Sequence, residues 1–412
     1  MSTGSIRPTR LPKSRDPLAS GCLQCGHPNL PKGRAHRFFT ACTFSPILGF
    51  YKENSHMAAH RFRLGFLSHL EAHTDLPHLY RNFIDLFRYA EELGFDSGWV
   101  AQHHFEDGRS GPGAGASPLT FLTAVAENTT RLRLGTAVVT LPLESPIRLA
   151  EDAATLDVIS GGRLELGISS GNGEKLFQAF GVPLDEKRER TTEGINLLNR
   201  AYAGKPLFDG GPILQPQSPG LRDRIWQGIF SAEGARFAAA AGSNLLLNRA
   251  AYGYSERTDL VQRPWADAYL EAWDGSPTNA GRRPRIGLSR LVYPAKDKET
   301  AKAQLRDGIE KVAQKMAEGG RFPAGLSLDE YLGRFHAFYG SPDDVIEQLS
   351  DEQCLPLATD ILCQVNPGVP DFDQLARTLE LIATKVAPAL GWKSQPASVP
   401  DVPVSLRGRS AA

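Results

Sequence analysis

Two adjacent histidines, His103 and His104, follow a short apolar run at 97–101. An imidazole takes up or gives away a proton near neutral pH, so one held at the end of a strand can act as base, acid or hydrogen-bond donor. Neighbouring residues on an extended segment point to opposite sides. The pair therefore divides, one histidine facing a site and the other packing away from it. A metal at this point would need more ligands on neighbouring strand ends. The corresponding runs at 135–139 and 169–173 carry Gly, Thr, Ala, Val, Ser and Asn but no acid. Proton handling is the better reading.

Two further stretches suit an anion. Ser169-Ser170-Gly171-Asn172-Gly173 is a small, glycine-rich loop after a strand-like run, and Ser231-Ala232-Glu233-Gly234 opens an alanine-rich helical run. Unpaired N–H groups at a helix start, together with its dipole, favour negative charge, so the two stretches could cradle a phosphate. Equally, Ser231 could do no more than cap its own helix.

What must position these residues is a regular alternation. Strand-like runs occur at 62–67, 97–101, 132–141, 163–169, 225–230, 244–248, 285–293 and 359–365. Helical spacing follows each, at 79–93, 117–128, 147–159, 187–202, 232–241, 263–273, 298–317 and 372–385. Ser117-Pro118 is a helix-start signal and Gly94 and Gly161-Gly162 are stops. Eight strand–helix units imply parallel strands closed into an α/β, (β/α)8 TIM barrel rather than an open sheet, and no G-x-G-x-x-G follows the first strand. Segments 203–220 and 275–284 read as loops and 318–356 as an insertion before the last strand. In such barrels the working residues lie where strands end.

With 46 Lys+Arg and 46 Asp+Glu among 412 residues, the balanced charge gives no case for nucleic acid or an anionic membrane. No apolar run approaches the ~18 residues of a membrane span. Five cysteines do not make a disulfide framework, so a reducing, cytoplasmic setting is expected. Residues 1–56 differ from the rest: eight Lys/Arg, two acids, many Pro, Ser and Gly, and no apolar period. They read as a disordered or mis-assigned extension, with Met57 as an alternative start, and 396–412 reads as a flexible tail. The body spans 57–395. Cys22-x-x-Cys25, with His27 and Cys42 nearby, lacks the second ligand pair a structural zinc needs.

The runs GFDSGWVAQHHF, TRLRLGTAVVTLPLESPIRLAEDAATLDVISGGRLELGISSG and FQAFGV resemble the bacterial luciferase-like, flavin-dependent monooxygenase family, over about residues 61–392. The resemblance implies FMN in reduced form, supplied by a separate flavin reductase, and O2, with one oxygen atom inserted into a small organic substrate. It implies that His103 is the active-site histidine. It also implies a non-proline cis peptide at Ala137–Val138 that supports the flavin ring, and that Ser169, Ser170, Gly171 and Asn172, with Ser231 and Gly234, lie at the ring and phosphate. It implies a homodimer formed through the helices at 117–128 and 147–159. Three residues depart from the luciferases themselves: Ser170 stands in place of a phosphate-binding arginine, Ser169 of a reactive cysteine and Gln102 of a glutamate. Arg249 is then a candidate replacement cation, and light emission is not expected. Members of the same architecture also carry out deazaflavin-dependent hydride transfer, and a non-catalytic flavin-binding protein is a further alternative.

Overall fold

The computed structural model describes residues 62–71, 76–105, 113–365 and 371–394. The expectations for 1–56, the Cys22/Cys25 pair and 396–412 lie outside the described residues. The elements run β1 (Arg63–Ser68), α1 (Leu76–Glu92), β2 (Ser97–Val100), α2 (Pro118–Asn128), β3 (Arg133–Thr136), β4 (Val139–Thr140), α3 (Pro146–Ile159) and β5 (Leu164–Ser169). They continue with α4 (Glu174–Ala179), α5 (Lys187–Tyr202), β6 (Ile225–Ile229), α6 (Ala232–Ala240), β7 (Asn244–Leu247), α7 (Thr258–Asp274), β8 (Ile286–Pro294) and α8 (Lys298–Glu318). The last are α9 (Leu328–Arg334), β9 (Phe338–Gly340), α10 (Pro342–Ser350), β10 (Asp360–Gln364), α11 (Phe372–Leu381) and α12 (Ala387–Ala389).

Eight parallel strands close on themselves in the order β1, β2, β3, β5, β6, β7, β8, β10, with β10 bonded to both β8 and β1. This is the (β/α)8 barrel the alternation implies. The run 132–141 is one strand in the sequence and two in space: it breaks at Ala137–Val138, whose peptide bond is cis, and β4 pairs only with the upper part of β5. The insertion at 318–356 is ordered as α9, β9 and α10, with β9 extending the sheet beside the end of β8. Helix α7 starts at Thr258, five residues before the expected 263, and keeps Pro264 in its interior.

Leu67, Trp99, Trp226, Leu246 and Leu362 form one buried cluster, with Ala137 and Val138 packed on it, and the two indoles meet edge-on at 5.6 Å. Five large apolar residues taken from water contribute several kcal/mol, so these indoles make the barrel solid rather than porous. At the amino-terminal end of the strands, Glu165 sits 1 % exposed. It accepts from Trp226 Nε1 at 2.7 Å and pairs with Arg133 at 2.5 Å and Arg285 at 3.0 Å. Asp360 joins Arg285 at 2.9 Å to Arg63 at 3.1 Å. Burial alone would push Glu165 up, but Arg285 and Arg133 hold it down at about 2. The two described cysteines, Cys354 and Cys363, are buried, and burial pushes both thiols up to about 12.

Candidate active site

The carboxyl ends of β1, β2, β7 and β10 bring His69, His103, Arg249 and Gln364 together. Ser68 closes β1 and the chain turns at Leu70 (φ 53°), whose N–H donates to Ser68 Oγ at 3.0 Å. Beyond β2, Ala101 N–H donates to Ser68 O at 3.0 Å and His103 N–H to Gly115 O at 3.2 Å. Residues 113–115 pass directly over both turns. A Cβ on Gly113 would fall 1.0 Å from His69 O, and one on Gly115 2.1 Å from Ala101 O, so only glycine permits this approach. The result is that His69 Nδ1 and His103 Nε2 lie 2.7 Å apart, the rings 5.0 Å between centroids.

Burial, then the positive charge of Arg249, lowers His103 to about 4. Burial and the neighbouring His103 hold His69 well below its ordinary value. Both rings are therefore neutral at pH 7. Arg249 donates to Gln364 Oε1 at 2.8 Å and lies 5.0 Å over the Phe335 ring, and the Gln364 amide in turn donates to Ser289 Oγ at 3.0 Å.

The His104 ring meets Phe180, just past α4, at 4.7 Å. Gln102 carries no charge to either histidine. Its Oε1 accepts from Thr140 N–H at 2.7 Å and its amide donates to Glu144 at 3.1 Å, tying β2 to β4.

A second feature opens over β5 and β6: a cavity of about 810 Å³ lined by Ser169, Ser170, Gly171 and Asn172 on one side and Ser231, Glu233 and Gly234 on the other. The two expected anion stretches thus share one cavity. Ser231 also caps α6, its Oγ accepting from Gly234 N–H at 3.1 Å. That N–H is spent on the cap, which leaves cations as the main source of positive potential. These are Lys187 and Arg188 at the start of α5 and Arg321 just beyond α8, against the single acid Glu233 among the described lining residues. Lys187 reaches Asn172 Oδ1 at 3.3 Å. Arg249 is not among them. Its strand end turns at Asn248, whose Oδ1 accepts from Arg249 N–H at 2.7 Å, and the guanidinium runs into the barrel mouth instead. Ala137 and Val138 lie half-buried on the interior cluster, outside the described lining.

Among the described residues Asp259, His336 and Glu352 have ligand-type atoms within 4.8 Å of one another. Arg257 already pairs with Asp259 at 2.5 Å and Arg290 with Glu352 at 2.8 Å. Two carboxylates matched by two guanidiniums leave no charge for a divalent ion, and this cluster is an internal ion-pair group.

Three histidines with lowered pKa values carry a pH signature. Burial and Arg290 lower His336 to about 3. With His69 and His103 also lowered, the unfolded chain binds protons near 6.5 that the folded chain refuses. Their contribution is fully present above pH 6.5 and is lost as pH falls, down to about 4 for His103 and about 3 for His336, by up to ~1.4 kcal/mol per pH unit for each group. We expect a lower urea midpoint at pH 5 than at pH 7 under matched ionic strength; an unchanged midpoint would contradict the burial of these rings.

A closed parallel barrel with its titratable groups and an electropositive cavity at the carboxyl ends of the strands has the plan of a (β/α)8 enzyme. The chain belongs to the luciferase-like monooxygenase family, whose profile matches residues 61–356. It is 28% identical over 340 residues to an uncharacterized protein, y4vJ, of Sinorhizobium fredii, with 77% of this chain and 93% of that one covered. It is 28% identical over 329 residues to the 4-hydroxyprotoasukamycin monooxygenase of Streptomyces nodosus subsp. asukaensis, covering 74% of this chain and 85% of that one. Among solved structures, monooxygenase RslO1 from Streptomyces bottropensis superposes with a TM-score of 0.66 at 27% identity, over 79% of this chain and 99% of that one.

Proposed function

We propose that this chain is the oxygenase component of a two-component, flavin-dependent monooxygenase. It binds reduced FMN delivered by a separate flavin reductase and uses O2 to place one oxygen atom in a small organic substrate. The observation that carries this reading is the cavity over β5 and β6. Three cations against one acid suit the dianionic phosphate of FMN, and the small residues at 169–172 leave room for it. Its volume of about 810 Å³ is within the range of cofactor sites. The flavin supplies the reaction with oxygen. The chain's own part is to anchor the phosphate through Lys187, Arg188 and Arg321, to support the ring beside Ala137 and Val138, and to present a neutral His103 to a proton. The barrel mouth keeps water from the reacting atoms. The cytoplasm is the compartment in which such a pair would work. Ile147, Val158 and Ile159 on α3 are exposed, which supports a homodimer through this face.

Anaerobic titration with FMN, reduced FMN, riboflavin and deazaflavin tests the assignment. Reduced FMN should bind best. A Lys187→Ala/Arg188→Ala double variant should lose about tenfold or more in FMN affinity while riboflavin affinity stays put, as charge-assisted phosphate bonds require. Preference for deazaflavin, with no oxygen consumption, would replace this reading by hydride transfer. A flavin that binds but never turns over would point to a non-catalytic binding protein.

A further inference from the structure

His69 has no role in the reading above, yet it is the group that His103 touches. An N···N separation of 2.7 Å is a hydrogen bond in which either ring could be the donor. Two lone pairs facing each other would repel and two N–H groups would collide, so a single proton lies between Nδ1 of His69 and Nε2 of His103. The backbones that carry the two rings are tied together. One follows β1 and the other β2, these strands are paired from Gly65–Ser97 to Ser68–Val100, and the glycine-containing run 113–115 lies over both turns. The charged and titratable groups that face His103 are Arg249 from the end of β7, His104 beside it and Lys315 from α8; all disfavour a cation on its ring.

We propose that His69 is a positioning residue for His103, fixing which nitrogen of His103 carries a proton and accepting the bridging proton when the other nitrogen takes one up. With His103 donating from Nε2, its Nδ1 bears the lone pair. A proton accepted at Nδ1 lets the bridging proton pass to Nδ1 of His69. One N–H bond forms at each ring in turn, one breaks at His103, and the positive charge finishes one ring further from the reacting atoms. The inference rests on the proposed role of His103 in proton handling, while the hydrogen bond itself does not.

The test uses the full chain labelled with 15N-histidine, with wild type, His69→Asn and His69→Leu compared. Asparagine can keep a hydrogen bond near the position of Nδ1 but is no base; leucine offers neither. We expect a nitrogen–nitrogen coupling across the bridge in the wild type and one fixed His103 tautomer in the wild type and His69→Asn. In His69→Leu the tautomers should average. Reduced FMN affinity should stay within about threefold, and single-turnover oxidation of bound reduced FMN by air should slow by about tenfold or more in both variants. Its pH profile should move only in the variants. Absence of the coupling, a fixed tautomer in His69→Leu, or wild-type rates in both variants would overturn the proposal. Should His69→Leu fail to fold, the wild-type coupling and the His69→Asn rate still decide it. If the wild type does not bind reduced FMN, the functional reading fails, and the coupling experiment judges the bridge separately.

Discussion

Replacing His103 by alanine should lower turnover about 100- to 10,000-fold, the usual cost of losing a positioned acid–base group. The side chain stands at the carboxyl end of β2, 2.7 Å from His69 and within the field of Arg249. It lies apart from the described residues of the cavity assigned to the phosphate, so reduced FMN should bind His103→Ala within a few-fold of wild type. The measurement is single-turnover oxidation of bound reduced FMN in air-saturated buffer, alongside anaerobic binding. The pH dependence is equally specific. Burial and Arg249 lower His103 to about 4, so the neutral ring persists through the range in which a free imidazole would be half protonated. The acid limb of the wild-type rate should lie below pH 5, not near 6.5. His104→Ala, whose ring packs on Phe180, should change the rate by less than about threefold, since it would lose contact area rather than a proton-carrying group. A rate lost in His104→Ala and kept in His103→Ala would reverse the two roles.

The second large effect is structural. Glu165→Gln should lower the free energy of unfolding by about 3–5 kcal/mol, because it removes one charge from a buried group and leaves the guanidiniums of Arg133 and Arg285 short of a partner. Glutamine is nearly the same shape and can still accept from Trp226, so the loss isolates the charge. Acid should reproduce the effect. A carboxylate held down at about 2 contributes stability that is present above the ordinary value near 4.5 and lost as pH falls towards 2. Urea unfolding of the two proteins should therefore differ most above pH 5 and converge in strong acid. Equal midpoints at pH 7 would show that Arg133 and Arg285 do not need the charge of Glu165, and would contradict this account.

The barrel was legible because each strand and helix has its own period and its own stop signals. Two of the mouth's parts were legible too, His103 and the paired small loops, since they follow directly on recognisable strands. His69 and Gln364 obey the same strand-end rule; the ends of the first and last strands went unread because neither adjoins a small-residue loop or a paired motif. Arg249 was named as a cation near the flavin. Its chain position fits a phosphate cation, but the Asn248 turn sends the guanidinium into the mouth, and no local pattern encodes that direction. The cations that do line the cavity come from the start of α5 and from beyond α8, so their convergence is a property of the closed barrel and is invisible at any one strand end. Gln102 shows the converse. Its departure from glutamate was legible, but the task of its amide was not: it ties β2 to β4.

Reduced flavin that meets air before a substrate releases hydrogen peroxide, so a protein of this kind is exposed to its own waste oxidant. Thiols react with peroxide as thiolates, and the deeper and more neutral they are, the slower the attack. Cys354 and Cys363 are buried in the main hydrophobic core with their thiols pushed up to about 12, so at neutral pH they offer almost no thiolate to a diffusing oxidant. The described barrel is in this sense chemically deaf to the by-product it would generate, and self-inflicted ageing would fall first on thioethers such as the half-exposed Met316.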